Sequence, residues 1–430
     1  MKHVLIDGYN LGLEKGTGVA TYARNLSYEV GRLGHRTSVL YGHQGLASRE
    51  PLLREIGFFD EGTAKRQGRL RDLAGLLSPL ASRAAAVPVT GRVVTRQFDA
   101  RLPHHDTLYN AGDVFRRANG RFHAWGRTTA VRLPIQTDLA HWTYPLPLRV
   151  PGAANLFTLH DLVPLRLPYT TLDDKRRYLA LLRTIARTAD HLVTVSECSR
   201  RDIIELTGIA PERITNTYQA VDIPARYLDT PEEQVAREVE GAIGAGYKDY
   251  FLFWGSIEPK KNIGRIVEAY MASGLTTPLV IVGARAWRAE SELRLLDALA
   301  NGKPAEGDVR RGRIIQLPYA PFGLLVSLIR GAKAALFPSL YEGFGLPVLE
   351  AMLLGTPVLC SNTSSLPEVA GDAALAVDPY DTAAIGAGLR ALDADADLRA
   401  DLARRGLVQA ALFSPDRYRA RLAALYERFL

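Results

Sequence analysis

At 430 residues the chain is longer than one hydrophobic core supports, so two domains are expected. With 47% hydrophobic and 23% charged residues it has the composition of a soluble globular protein, and no apolar run reaches the roughly eighteen residues of a membrane span. Only Cys198 and Cys360 are present, and the start MKHVLIDGYN lacks the charged, long-apolar and small-residue segments of a secretory signal, so a reducing, cytoplasmic setting is expected.

In chain order, HVLID (3–7) predicts an apolar strand with Asp7 at its end. A loop runs to Gly18, and a helix follows with Val19, Tyr22, Leu26, Val30 and Leu33 on one face. Within the loop, Gly16-Thr17-Gly18 permits close backbone approach to a ligand at a helix N-terminus, although a G-x-G is more often a plain turn. Residues 45–132 read as an insertion of helices with long loops. The excess charge sits here: residues 62–132 hold 13 Lys+Arg against 4 Asp+Glu, in a chain whose net charge is +7. Lys65, Arg66, Arg69, Arg71, Arg116, Arg117 and Arg121 are interleaved with Leu70, Leu73, Leu76, Leu77 and Leu80. Such a face can lie on an anionic membrane, and it can equally be a solvated Arg-rich surface. His104-His105 has no Cys or carboxylate at metal-ligand spacing.

Beyond the insertion, ANLFTL (154–159) predicts a strand that runs directly into His160-Asp161. A helix from Asp173 to Ala189 and a strand HLVTV (191–195) follow, and Ser196 can cap a helix that starts near Ser199. From Ile223 to Asp249 the pattern fades into a Gly-rich stretch, read as the interdomain connection. The alternation then restarts with YFLFW (250–254), a helix from about Ile263, the strand PLVIV and a helix around Glu290–Leu299. The strand RIIQL, a helix near Leu324–Ile329, the strand Ala334–Pro338 and PVLC continue the series, and Pro415 to Leu430 is a helix candidate. Strands alternating with helices mean parallel, doubly wound sheets.

Two segments carry chemistry. Between Glu342 and Glu350 the chain reads Glu-Gly-Phe-Gly-Leu-Pro-Val-Leu-Glu after an apolar strand, with Pro347 suited to the first helical position and Gly355 to the stop. Glu342 then stands in a loop at the carboxyl end of a strand and Glu350 in the first turn of a helix, beside the crevice where ligands bind in open α/β sheets. Carboxylates there accept from ligand hydroxyls and helix amides hold phosphate, so a polyhydroxylated, phosphorylated ligand fits best. In WGSIEPKKN (254–262) a strand ends, turns at Gly255 and Ser256, and presents Lys260 and Lys261. Adjacent ammonium groups at that place suit a diphosphate, whereas a surface lysine pair would oppose the dipole of the following helix. Asp393, Asp395 and Asp397 could suggest an Asp-x-Asp metal motif, but caps and a solvated turn between helices account for them better.

The Glu-x7-Glu spacing inside SLYEGFGLPVLEAM, with GTPVLCSNTSSLPEVAGDAALAVDP after it, resembles the signature of glycosyltransferase family 4, a group of retaining, nucleotide-sugar-dependent enzymes. GTGVATYARNL resembles the first glycine loop of that family, and His160-Asp161 its His-Asp at the active-site edge of the first domain. Lys260 stands where the family usually has arginine, a point charge in place of a fork. Gln219-Ala220-Val221-Asp222 replaces the usual Asn-Gly-Val-Asp. The resemblance implies an α/β GT-B fold of two Rossmann-like, doubly wound parallel-sheet domains facing across a cleft. Residues 1–223 would bind acceptor, 224–412 the nucleotide sugar, and 413–430 would form a helix packing back on the first domain.

By the same resemblance Glu342 acts on the donor sugar and the developing charge at its anomeric carbon, and His160 lies at the reacting centre. Glu350 holds the donor ribose. Gly16, Gly18, Gly255, Ser256, Lys260, Lys261, Gly343, Phe344, Gly345 and Leu346 complete the donor site. No metal or other cofactor is expected, because the lysines and helix dipoles neutralise the diphosphate. The implied reaction moves a hexose, mannose first, from a nucleotide diphosphate to a glycan or lipid-linked acceptor, as in bacterial mannosyl- and rhamnosyltransferases of surface polysaccharide synthesis. GDP-mannose is the first expected donor, UDP-sugars the next, and no nucleic acid partner is expected. A lipid-linked acceptor would agree with membrane contact through residues 62–132. Two other readings stand beside this one: an inactive nucleotide-sugar-binding partner of a polysaccharide assembly complex, and a nucleotide-sugar epimerase, which is not expected to carry the glutamate pair.

Overall fold

The computed structural model describes residues 1–12, 18–44, 48, 50–59, 81–93, 102–286, 292 and 314–430. Two separate parallel sheets carry the architecture. Among the described residues the first has eight strands, in the order Ile214–Asn216, His191–Thr194, Ala154–Thr158, Leu139–Trp142, His3–Asp7, Arg36–Tyr41, Thr107–Asn110 and Ala85–Ala86. All pair in parallel except the short edge strand Ala85–Ala86. The chain builds outward from His3–Asp7 on one side and then returns to lay Leu139–Trp142 on the other. The strand order therefore reverses between these two strands.

The second sheet runs Ile314–Leu317, Leu279–Val282, Phe251–Trp254, Ala334–Phe337, Val358–Ser361 and Leu375–Val377, all parallel. Its strands FLFW, LVIV, AALF and VLCS are buried at every position, as expected of strands covered by helices on both faces. The order reverses between Phe251–Trp254 and Ala334–Phe337, and these are the strands that run into Lys260-Lys261 and into Glu342. Ligands of open α/β sheets bind at such reversals. Two Rossmann-like parallel-sheet domains are the fold expected above.

Two local differences have physical reasons. The stretch read as a connection folds into the helices Ala225–Leu228 and Glu232–Ile243. Val235, Val239 and Ile243 recur at every fourth position and are buried, while Glu232 and Glu233 lie in the first turn. Of the basic residues expected on one face, Arg121 is only 1% exposed, with Nη1 3.4 Å from Thr129 Oγ1, whereas Arg116 is exposed and pairs with Asp113 at 3.0 Å. Lys65, Arg66, Arg69 and Arg71 lie outside the described residues, as does the helix expected at Glu290–Leu299 apart from Glu292. No described helix is long and apolar enough to cross a membrane.

The chain leaves the first domain after Ile214–Asn216 and comes back to it at the end. The helix Pro415–Tyr426, capped by Ser414, lies against the first sheet and its helix Gly18–Arg32. Arg419 Nε pairs with Glu29 Oε2 at 2.6 Å, and the Phe429 ring lies 5.3 Å from that of His191. Tyr426 hydroxyl meets His141 Nδ1 at 2.8 Å, and His141 Nε2 meets Thr158 Oγ1 at 2.7 Å. Burial lowers the His141 pKa to about 3, so the ring sits neutral in this network.

Candidate active site

The site is built on the reversal point of the second sheet. At the end of Phe251–Trp254, Gly255 takes φ 134° and its N–H donates to Val282 O at 2.9 Å. A Cβ on Gly283 would stand 1.8 Å from Gly255 O, so the two backbones touch in a way that admits only glycine. The 3₁₀ turn Pro259–Lys261 follows. Asn262, at φ 62°, donates through Nδ2 to Pro338 O at 2.8 Å and Pro379 O at 2.7 Å, tying the turn to two neighbouring strand ends.

This places Lys261 Nζ 2.7 Å from Glu342 Oε1, in a buried ion pair. Lys260 Nζ lies 3.8 Å from Glu258 and 3.9 Å from Asp161 of the first domain. Burial would raise the Glu342 carboxyl, but Lys261 and Lys260 outweigh it and hold the group below the usual carboxylate range. Burial would likewise lower Lys260, and Asp161, Glu258 and Glu342 outweigh that, holding it above the ordinary lysine value. Both groups are therefore charged at neutral pH. Ser256, exposed, donates through Oγ to Glu258 at 3.1 Å.

The loop after Glu342 is held by serines. Ser365 Oγ makes contacts to Glu342 O at 2.9 Å and Phe344 O at 2.8 Å, and Ser364 Oγ accepts from Glu342 N at 3.1 Å. Gly345, at φ 108°, lets the helix Leu346–Leu353 begin one residue before Pro347. Glu350 is thus the fifth helical residue rather than a member of the first turn. Its carboxylate is met by Trp254 Nε1 at 2.9 Å, and burial lifts its pKa to about 7. Phe344 is buried against Tyr218 and Phe413, so it can offer a ligand only backbone.

The first domain closes directly onto this loop. His160 Nε2 donates to Thr143 O at 3.0 Å, and burial keeps the ring below the ordinary histidine pKa. Its Nδ1 is then the acceptor of a neutral imidazole, with Tyr22 edge-on at 4.8 Å. Gly343 packs on His160: a Cβ there would stand 2.7 Å from His160 O. Ser196 Oγ donates to Gly343 O at 2.7 Å, and Ser199 Oγ lies between Gly343 O (3.2 Å) and His160 O (2.9 Å). Glu368 of the second domain accepts from Glu197 N at 2.7 Å and Cys198 N at 3.2 Å, at the start of the helix Glu197–Thr207. Tyr341 bonds Asp202 on the same helix. Gly18 opens the helix Gly18–Arg32, where a Cβ would stand 3.7 Å from Leu346 Cδ1, whereas Gly16 lies outside the described residues. The structure thus gathers His160, Lys260, Lys261, Glu342 and Gly343 where the two domains meet, with Glu350 beside them on the helix Leu346–Leu353. Ser196 was readable only as a cap, and nothing local marked Trp254, Ser199, Ser365 or Glu368.

Two family models span this architecture. Glycosyltransferase Family 4 matches residues 16–224 and Glycosyl transferases group 1 matches residues 242–408. O-antigen chain mannosyltransferase B of Escherichia coli is 35% identical over 274 residues, which are 63% of this chain and 68% of that protein. The chain belongs to glycosyltransferase family 4. This glycosyltransferase is also 31% identical over 264 residues to the serotype-specific mannosyltransferase WbdA of Escherichia coli, spanning 59% of itself and 31% of that protein. In fold it is similar to Anabaena Alr3699/HepE, solved in complex with UDP and glucose, with a TM-score of 0.66 over 100% of both chains at 13% identity.

Proposed function

We propose that this glycosyltransferase moves a hexose, mannose first, with retention of anomeric configuration. The donor would be a nucleotide diphosphate sugar, GDP-mannose first, and the acceptor a glycan or lipid-linked glycan of surface polysaccharide synthesis. The observation that carries the reading is the buried Lys261–Glu342 pair at the sheet reversal, with Lys260 and Glu350 beside it. The mannosyltransferase names of the two relatives support the choice of sugar.

Lys260 and Lys261 take the donor diphosphate and the charge that develops as it leaves, helped by amides near Gly345 and Leu346. Glu342, kept ionised by those lysines, accepts from sugar hydroxyls and faces the positive charge of an oxocarbenium-like transition state. Neutral His160 presents an acceptor nitrogen to the sugar from the first domain. Glu350 accepts from the ribose hydroxyls. In this scheme the two ammonium groups do what a divalent cation does elsewhere, so turnover should persist in EDTA.

The decisive experiment follows donor hydrolysis across GDP-, UDP-, ADP- and dTDP-sugars, with and without EDTA, beside Glu342→Ala. One donor should be turned over and the variant should be silent. Tight binding of one donor without turnover, even when acceptor glycans are added, would instead favour a binding partner of a polysaccharide assembly complex.

A pH dependence follows from Glu350. With a pKa of about 7 it is half protonated at neutral pH, and only the carboxylate can accept from both ribose hydroxyls. The donor KM should therefore fall as pH rises through about 7 and level off above it. Glu350→Gln should flatten that step, which a KM-against-pH series would reveal.

A further inference from the structure

Trp254 ends the strand Phe251–Trp254 with 4% of its surface exposed, its ring set edge-on to Phe337 at 4.7 Å. Its indole Nε1 donates to Glu350 Oε2 at 2.9 Å, from a position 96 residues earlier in the chain. An indole N–H is a donor only, and when buried it needs a partner. Here that partner is one oxygen of a glutamate. The bond fixes the carboxylate of a flexible side chain and leaves Oε1, together with the remaining lone pair of Oε2, able to accept. An arginine in the same place would have bound both oxygens and cancelled the charge.

We propose that Trp254 is a positioning residue for the donor nucleotide. It locks the Glu350 carboxylate in the orientation that meets the two vicinal hydroxyls of a ribose, and so makes the site select ribonucleotides over deoxyribonucleotides. The inference rests on the reading of Glu350 given under Proposed function. Preorganising the acceptor removes an ordering cost from binding, so the effect falls on donor affinity.

The test replaces Trp254 with β-(3-benzothienyl)alanine, which keeps the shape and puts sulfur where the N–H was, and separately with Phe. Calorimetry then compares GDP and UDP with their 2′,3′-dideoxy counterparts. For whichever ribonucleotide binds, affinity should drop by up to about tenfold in both variants, in line with the ordering cost of one freed side chain. The dideoxy counterpart should bind the variants as it binds the unaltered protein, and the kinetic loss should fall on KM more than on kcat. Equal losses for the ribo- and dideoxy nucleotides would reduce Trp254 to a packing residue and overturn the proposal. So would an unchanged ribonucleotide affinity in the benzothienyl variant. Glu350→Gln separates the two layers. If it abolishes ribose discrimination while the Trp254 variants retain it, the role of Trp254 alone falls. If Glu350→Gln retains discrimination, or neither nucleotide binds the unaltered protein, the reading of Glu350 falls and takes this inference with it.

Discussion

Lys261→Met should lower kcat/KM by about three orders of magnitude, with Lys261→Arg falling between it and the unaltered protein. Losing one preorganised group aimed at developing charge typically costs about 10²–10³ in rate. The substitution also removes the partner of a carboxylate that is only 6% exposed. Breaking a buried pair from one side costs about 3–5 kcal/mol, because the remaining charge is left uncompensated. Glu342 would then take up a proton, and the acceptor facing the anomeric carbon would lose its charge as well. Arg keeps the charge but spreads it over a planar fork that does not fit the place of a single ammonium.

The stability effect has a definite pH signature. In the unaltered protein the Glu342 pKa is depressed, so its contribution is present above the unfolded value and is lost as pH falls through the folded one. In the variant the same carboxyl is raised, so its folded form is favoured at low pH and penalised as pH rises. Thermal unfolding curves of the two proteins should therefore lie closest in acid and separate towards neutral pH. A separation that did not vary with pH would mean that the pair contributes nothing through ionisation.

Gly343→Ala should lower kcat/KM by about 10²-fold in a protein that still folds. The new Cβ would meet His160 O at 2.7 Å and Asp161 Cβ at 3.0 Å, both on the opposite domain. The backbone of His160 cannot swing aside like the end of a long side chain, so the two domains must part by about 1 Å to restore an ordinary contact. That movement pulls Gly343 O away from Ser196 and Ser199 and shifts Lys260 relative to Asp161. Misplacing reacting groups by about 1 Å is enough for a 10²-fold loss. A crystal structure of the variant should show Gly343 O drawn away from Ser196 and Ser199, while each domain keeps its unfolding temperature. Activity within threefold of the unaltered protein would show that turnover does not need this contact.

Much of the fold was open to reading because parallel strands buried on both faces are written as apolar runs such as FLFW and AALF. The lysine pair and Glu342 were open for a related reason, since each follows such a strand directly. Other features are written nowhere locally. The Trp254–Glu350 bond joins residues 96 apart, and neither residue type signals the other. Ser196 was readable as a helix cap, and it does accept from Ser199 N at 3.0 Å. The same hydroxyl also donates to Gly343 O across the domain interface, a contact that only the assembled chain creates. The helix Glu232–Ile243 was hidden by Gly241, Gly244 and Gly246, which mimic a linker, while the burial of Val235, Val239 and Ile243 decides the outcome.

The return of the final helix to the first sheet sets an order of events during synthesis. His141 leaves the ribosome 285 residues ahead of Tyr426, the hydroxyl that completes its buried network. At about 5–20 residues per second that interval lasts roughly 15–60 s, long enough for the whole second domain to be made and folded. Through that time the first sheet must keep the groove around Tyr22, Glu29 and His141 uncovered. The domain that begins first is therefore completed last.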